Sequence, residues 1–200
     1  MPEGPEVKTI VDGLNEMMKG EKIISVEFTD TGKYRDKVPN NFNLFEKNLP
    51  LKIKSVKCRG KFIYFTLSGF WSEDINYPKH TCMVINTGDK KLLFIDQRHF
   101  GNVYFYTNKI DFTKKIDKIG PDFLNDHVSF EVFKKRVVSH PRMNISNLLM
   151  NQSIISGVGN YIKSEVLYRS KISPHLAVSE IDEKRLEKLY RSIIKVMESS

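Results

Sequence analysis

The sequence predicts an α+β protein of two domains: a leading helix, an antiparallel β-sandwich or barrel, then an all-helical domain. Three observations carry that expectation. Behind Pro5 the apolar residues Val7, Ile10, Val11, Leu14, Met17 and Met18 recur at helical spacing and end at Gly20. Residues 22–107 change to period two. From residue 128 the spacing is helical again.

The first helix opens in MPEGPEV, where proline is tolerated in the first turn and acids suit the positive end of the helix dipole. The strands follow as KIISVEFTD, LKIKSVKC, KFIYFTLSG, TCMVINT, KLLFIDQ and NVYFYT. Each is short, β-branched or aromatic, and bounded by Gly, Asn, Asp or Lys. TGDKK reads as a hairpin connection, and GKYRDKVPNNFN and WSEDINYPKH as loops. IGPDFLNDHVSF marks a junction, which divides the chain into residues 1–126 and 127–200. Helices are then expected in VSFEVFKKRVV, NISNLLMNQSII, GNYIKSEVLYRSK and SEIDEKRLEKLYRSIIKVMES, the last with Ser179 at its cap and Asp182 three positions on. That final helix reaches residue 200 without a glycine cap or proline stop, which reads as a chain cut short.

Composition narrows the function. The chain has 200 residues, 40% hydrophobic and 28% charged, and is expected to fold. No run approaches the roughly 18 apolar residues of a membrane span, and the N-terminus lacks a basic-then-apolar leader. An intracellular, soluble protein is expected. Cys58 and Cys82 lie far apart with no C-x-x-C pair, so they read as free thiols with no zinc site. The net charge is +8, and residues 131–200 hold 12 Lys/Arg against 7 Asp/Glu. A basic domain favours polyanions, nucleic acid first. A merely soluble basic protein is the plain alternative.

Three stretches carry possible chemistry. In SGVGNYI, Gly157 and Gly159 allow a tight turn, and Asn160 opens a helix whose side chain and free backbone N–H groups can hold a phosphate. An ordinary helix–helix turn explains the same residues. In RGKF, Lys61 is a phosphate contact or an edge-strand lysine that blocks aggregation. In IDQRHFGN, Arg98 and Phe100 join a cation and an aromatic at a turn, the kind of pair that enters a base stack when a base is extruded. Core packing is the alternative for Phe100. MPEGPEV by itself is accounted for by a helix start.

MPEGPEV, RGKF, DQRHFG, IGPDFL and NQSIISGVGNYIKSEVLYRSKISP together, in this order, resemble the formamidopyrimidine-DNA glycosylase/endonuclease VIII family of base-excision enzymes. The resemblance runs from residue 2 to about residue 190. It implies an N-terminal helix with an antiparallel β-sandwich, followed by a helix–two-turn–helix domain. It implies a bifunctional DNA glycosylase/AP lyase with Pro2 as nucleophile once Met1 is removed. Glu3 would be the acid/base on the sugar ring oxygen, and Glu6 a positioning acid. Lys61 and Asn160 would grip phosphates. Arg98, Phe100 and Leu67 in TLSGF would fill the gap left by the extruded base. No metal and no cofactor are implied. The partner would be duplex DNA carrying oxidised bases or abasic sites, met by a monomer wherever DNA is kept: nucleus, nucleoid or viral compartment.

The chain also departs from the family. Nothing matches its C-terminal β-hairpin finger, and Gln97 and His99 replace the usual residues of the DPRRFG motif. Those changes lean toward endonuclease VIII and oxidised pyrimidines. Two rivals stay open: a catalytically weak DNA- or RNA-binding protein of the same fold, and a ribosome- or RNA-associated module.

Overall fold

Helix α1 (Gly4–Met18) forms where the apolar spacing places it, and Val7, Val11 and Met18 are its buried stripe. Ile10 and Met17, counted with that stripe in the sequence, face solvent. At 100° per residue they lie about 80–100° round the helix from the centre of that stripe, at its edge, where the surface is open to water. The structure, a computed structural model, describes residues 2–29, 34, 37–68, 81–96 and 101–200.

The chain divides into two units, each discontinuous in sequence. One gathers Leu14–Val56 and Phe65–Thr113; the other gathers Met1–Gly13, Lys57–Tyr64 and Lys114–Ser200. The strands are β1 (Lys22–Ile23), β2 (Ser25–Phe28), β3 (Leu51–Arg59), β4 (Phe62–Ser68), β5 (Thr81–Asn86) and β6 (Lys91–Ile95). They form two three-stranded sheets, ordered β1-β3-β4 and β2-β5-β6. Pairing is antiparallel, with Ile23 opposite Leu51, Val26 opposite Ile85 and Val84 opposite Leu93. Between β5 and β6 the expected hairpin closes through Gly88 at φ 82°, with the Thr87 N–H donating to the Lys90 carbonyl at 2.9 Å. Ile23, Ile53, Val56 and Val84 are the buried centre of this unit.

Three local expectations are corrected. A short helix α2 (Phe42–Glu46) begins inside the stretch read as a loop. NVYFYT is not a strand: the Val103 N–H donates to the Tyr34 hydroxyl at 2.6 Å, and the Phe105 carbonyl accepts from the Asn41 amide at 3.2 Å. Side chains thus take ladder positions there, and Phe105 joins an aromatic cluster with Phe28, Phe42 and Phe45. Beyond it α3 (Lys109–Ile116) is an additional helix.

In the other unit α4 (Phe130–Val138), α5 (Ile145–Met150), α6 (Asn160–Ser170) and α7 (Glu183–Glu198) enclose one apolar core with Phe133, Leu148, Ile162, Leu189 and Ile193 at its centre. The helical segment expected to run to Ile155 stops at Met150, because the Asn151 side chain takes the Ser153 amide and hydroxyl. The last helix starts at Asp182, not at Ser179. Val178–Glu180 is a 3₁₀ turn, and Asp182 Oδ1 accepts the Arg185 N–H at 2.9 Å. Along α7, Leu186, Leu189, Ile193, Val196 and Met197 are buried at helical spacing. The α+β class, antiparallel sheets followed by helices, stands as expected. Among the described residues no helix is long and apolar enough to cross a membrane.

Removing a packed side chain and an exposed one separates stripe from surface. Leu189→Ala is expected to cost about 2–5 kcal/mol in urea unfolding, as a cavity-forming change does. Ile10→Ala should cost less than about 0.5 kcal/mol, as surface changes do.

Candidate active site

Three stretches of one unit meet backbone to backbone. The Gly4 N–H donates to the Gly157 carbonyl at 2.8 Å. A Cβ at Gly4 would stand 3.1 Å from the Gly157 Cα and 3.0 Å from the Met197 methyl. Gly60, at φ 54° in the turn between β3 and β4, would place a Cβ 2.6 Å from that of Ser156. Gly157 has φ 90°, and its Cβ would meet the Met197 methyl at 2.8 Å. Side chains at Gly60 and Gly157 would be strained by both conformation and space. The glycines expected to make a tight turn therefore also let the N-terminus lie against that turn.

Glu3 precedes α1 and is fixed twice. Its N–H donates to Glu6 Oε2 at 2.7 Å, and its carbonyl accepts the Val7 N–H at 2.9 Å. Its carboxylate reaches the start of α6. Oε2 accepts from the Gly159 N–H at 3.1 Å and the Ile162 N–H at 3.0 Å, while Oε1 accepts from the Tyr161 N–H at 2.8 Å. A Cβ at Gly159 would lie 2.3 Å from Glu3 Oε1, so only glycine admits the carboxylate. The sequence assigns this helix start to a phosphate. In the folded chain the anion on those three amides is Glu3, for the same reason a phosphate would suit them: unpaired N–H groups and the positive end of a helix dipole. Pro2 is exposed beside it.

Asn160 is the exposed first residue of α6. Its Oδ1 accepts from Lys163 Nζ at 2.7 Å, which leaves the amide NH₂ as the donor it can present. Lys61 is half-buried beside Gly60. Its burial lowers the ammonium pKa below the usual lysine value, and Glu3 and Glu6 oppose that shift. Pro2, Glu3, Glu6, Lys61 and Asn160 thus belong to the same unit. Leu67, half-buried on β4, belongs to the other. Arg98 and Phe100 lie outside the described residues.

Sequence reasoning gave Asp122 no role of its own, reading IGPDFL as a junction and as one of the stretches that carry the family resemblance. Asp122 is 1% exposed and accepts the Gly60 N–H at 2.6 Å and the Asn125 amide at 2.8 Å on Oδ2, and the Leu124 N–H at 3.0 Å on Oδ1. It thereby fixes the turn that carries Lys61. Asp126 accepts the Asp122 N–H at 3.0 Å and pairs with Arg59 at 3.0 Å. The signal available was an acid between Pro121 and Phe123 in an apolar run: a carboxylate there is buried and needs donors. Among the described residues no cluster of three or more His, Cys, Asp or Glu gathers as metal ligands.

Comparison with known proteins places this geometry. Residues 1–103 match the formamidopyrimidine-DNA glycosylase N-terminal domain, and residues 119–200 match the formamidopyrimidine-DNA glycosylase H2TH domain. The chain belongs to the formamidopyrimidine-DNA glycosylase family. The family enzyme of Solibacter usitatus is 33% identical over 210 residues, covering 98% of this chain and 76% of its own. The Lactococcus lactis enzyme, solved non-covalently bound to DNA containing an AP site, superposes with a TM-score of 0.83 at 26% identity, over 98% of this chain and 80% of that one. MutM in complex with DNA containing carbocyclic 8-oxo-G gives 0.84 at 26% identity, over 99% and 80%.

The carboxylate geometry makes a stability claim. In Glu3→Gln an amide NH₂ would face N–H donors, leaving part of the α6 start unsatisfied. A loss on the order of 1–3 kcal/mol is expected in urea unfolding. Parental stability would show that Glu3 does not hold the helix.

Proposed function

We propose that this chain is a bifunctional DNA glycosylase and AP lyase that excises oxidised bases, pyrimidines by preference, through a Schiff base at Pro2. Its family is one of DNA repair glycosylases acting on oxidised bases. The reading beyond that rests on one observation: the carboxylate next to the exposed Pro2 is held by three backbone N–H groups, in the unit that carries Lys61 and Asn160.

The chemistry follows from these groups. With Met1 removed, Pro2 offers a secondary α-amine. An α-amino group titrates near pH 8, so an appreciable fraction is neutral at physiological pH. Its nitrogen attacks C1′ of the damaged nucleotide, and the base departs with its bonding pair. The sugar ring opens to an iminium, which carries a fixed positive charge because the amine is secondary. That charge acidifies C2′. Loss of its proton expels the 3′ phosphate, and a second elimination expels the 5′ phosphate. Water then releases the enzyme.

Glu3 exchanges the proton of the ring oxygen. A carboxylate has about four acceptor positions. Three are filled by the amides of α6, and the one left on Oε1 serves the reaction. General acid catalysis of this kind contributes about 10²–10⁴-fold. Glu6 fixes the Glu3 backbone. Lys61 and the Asn160 amide NH₂ take phosphates on the lesion strand, and Arg98, Phe100 and Leu67 fill the space the base vacates. The pyrimidine preference rests on Gln97 and His99, which depart from the family's DPRRFG motif. The reaction needs no metal or cofactor.

Borohydride trapping on a duplex with one abasic site tests the nucleophile. A covalent adduct is expected with the parent, and Pro2→Gly should weaken or abolish it; an undiminished adduct would move the nucleophile to a lysine. No adduct from a chain that binds the duplex would favour a binding protein of the same fold. The lesion preference fails if 8-oxoguanine is released faster than an oxidised pyrimidine.

The phosphate contacts separate by salt. Asn160→Ala is expected to weaken binding roughly tenfold, as loss of a hydrogen bond to a charged group does, without changing the salt dependence. Lys61→Gln should reduce the slope of log K against log salt by about 1. Titrating binding to an abasic-analogue duplex at several salt concentrations distinguishes the two.

A further inference from the structure

Gln152 has no part in the chemistry above, yet its side chain bonds the turn that accepts the Gly4 N–H. Its Oε1 accepts the Gly157 N–H at 3.1 Å, and its Nε2 donates to the carbonyls of Val158 at 2.9 Å and Met150 at 3.0 Å. Its own carbonyl accepts the Gly120 N–H at 2.8 Å. Gly157 in turn accepts the Gly4 N–H at 2.8 Å. One amide side chain therefore holds both sides of the turn on which the N-terminus lies.

We propose that Gln152 is a positioning residue that sets Pro2 and Glu3 through Gly157 and Gly4. The argument is one of donor count. Gly157 is at φ 90°, in a turn outside any helix, where its N–H and the Val158 carbonyl have no ladder to join. A group with one acceptor and one donor about 2 Å apart is needed to close both, and a carboxamide has that form. A carboxylate would supply the acceptor and repel the two carbonyls. An alkyl chain would supply neither, and the turn could relax. Because the Gly157 carbonyl accepts the Gly4 N–H, and the Glu3 carboxylate sits on the amides that directly follow this turn, a relaxed turn shifts the support of both Pro2 and Glu3. Displacements of the order of 1 Å at a reacting group cost about 10²-fold in rate.

The proposal rests on Pro2 as nucleophile, and its test keeps the two apart. Gln152→Met and Gln152→Glu are compared with the parent in three measurements: single-turnover borohydride trapping on an abasic duplex, affinity for a duplex carrying the unreactive tetrahydrofuran analogue, and amide exchange at Gly4 by NMR. For Gln152→Met, trapping is expected to slow by about tenfold or more, as misplacement of a reacting group does. Affinity should stay within about twofold, because phosphate contacts set it. The Gly4 amide should exchange about tenfold faster or more, while that of Leu189 in α7 stays protected. For Gln152→Glu the deficit relative to the parent at the same pH should narrow as pH falls into the carboxylate range, where a protonated acid regains a donor.

Parental trapping, a loss of trapping matched by an equal loss of affinity, or unaltered exchange at Gly4 would overturn the proposal. If the parent forms no adduct, or Pro2→Gly forms an equal one, the nucleophile assignment fails by itself. Exchange at Gly4 then decides alone: acceleration upholds the hold of Gln152 on the N-terminus, and its absence refutes it.

Discussion

The site depends on a carboxylate seated on the start of a helix. Glu3 is third in the chain and α6 begins at residue 160, so the contact joins groups more than 150 residues apart. Such a closure is entropically expensive, and it is repaid only if the groups it joins are strong partners. Three amides with no acceptor in their own helix, meeting one carboxylate, are such partners. Everything else around them permits the approach. Gly159 leaves room for the carboxylate, and Gly4, Gly60 and Gly157 let three backbones pass at contact distance.

Around that contact the burden falls on polar side chains. The buried Asp122 closes the Gly60 turn by accepting backbone N–H groups, and the half-buried Gln152 closes the Gly157 turn by accepting one N–H and donating to two carbonyls. An unpaired buried amide is costly, so each pair works as a constraint on where the turn can be. Met197 adds an apolar limit. It is 1% exposed at the end of the α7 stripe, and its methyl stands where side chains on Gly4 or Gly157 would have to go. The N-terminal residues thus meet the helical core at this methyl group as well as at the amides of α6.

This arrangement changes what the helix start has left for DNA. With three amides taken by Glu3, the donor that the exposed Asn160 has left is its amide NH₂, since its Oδ1 accepts from Lys163. The chain's +8 charge supplies attraction to any polyanion without regard to sequence. The specific chemistry is left to the few groups whose positions the glycine turns define.

Much of this was readable from residues alone. The period of two in KIISVEFTD and TCMVINT and the period of 3.6 in α7 placed strands and helices, because burial on one face writes itself into spacing. The motifs around Pro2, Lys61 and Asn160 named candidate groups, because reactive and phosphate-binding residues are restricted in type. NVYFYT carried the same period of two without becoming a strand, because Tyr34 and Asn41 answered its backbone. Asp122 showed in the sequence only as an acid in an apolar setting, and Gln152 not at all, because their partners are largely backbone groups that no residue type announces. What the sequence determined by itself was element type and the chemical repertoire. Only the tertiary structure decided that the anion on α6 is Glu3, since that depends on two segments more than 150 residues apart meeting at hydrogen-bond distance.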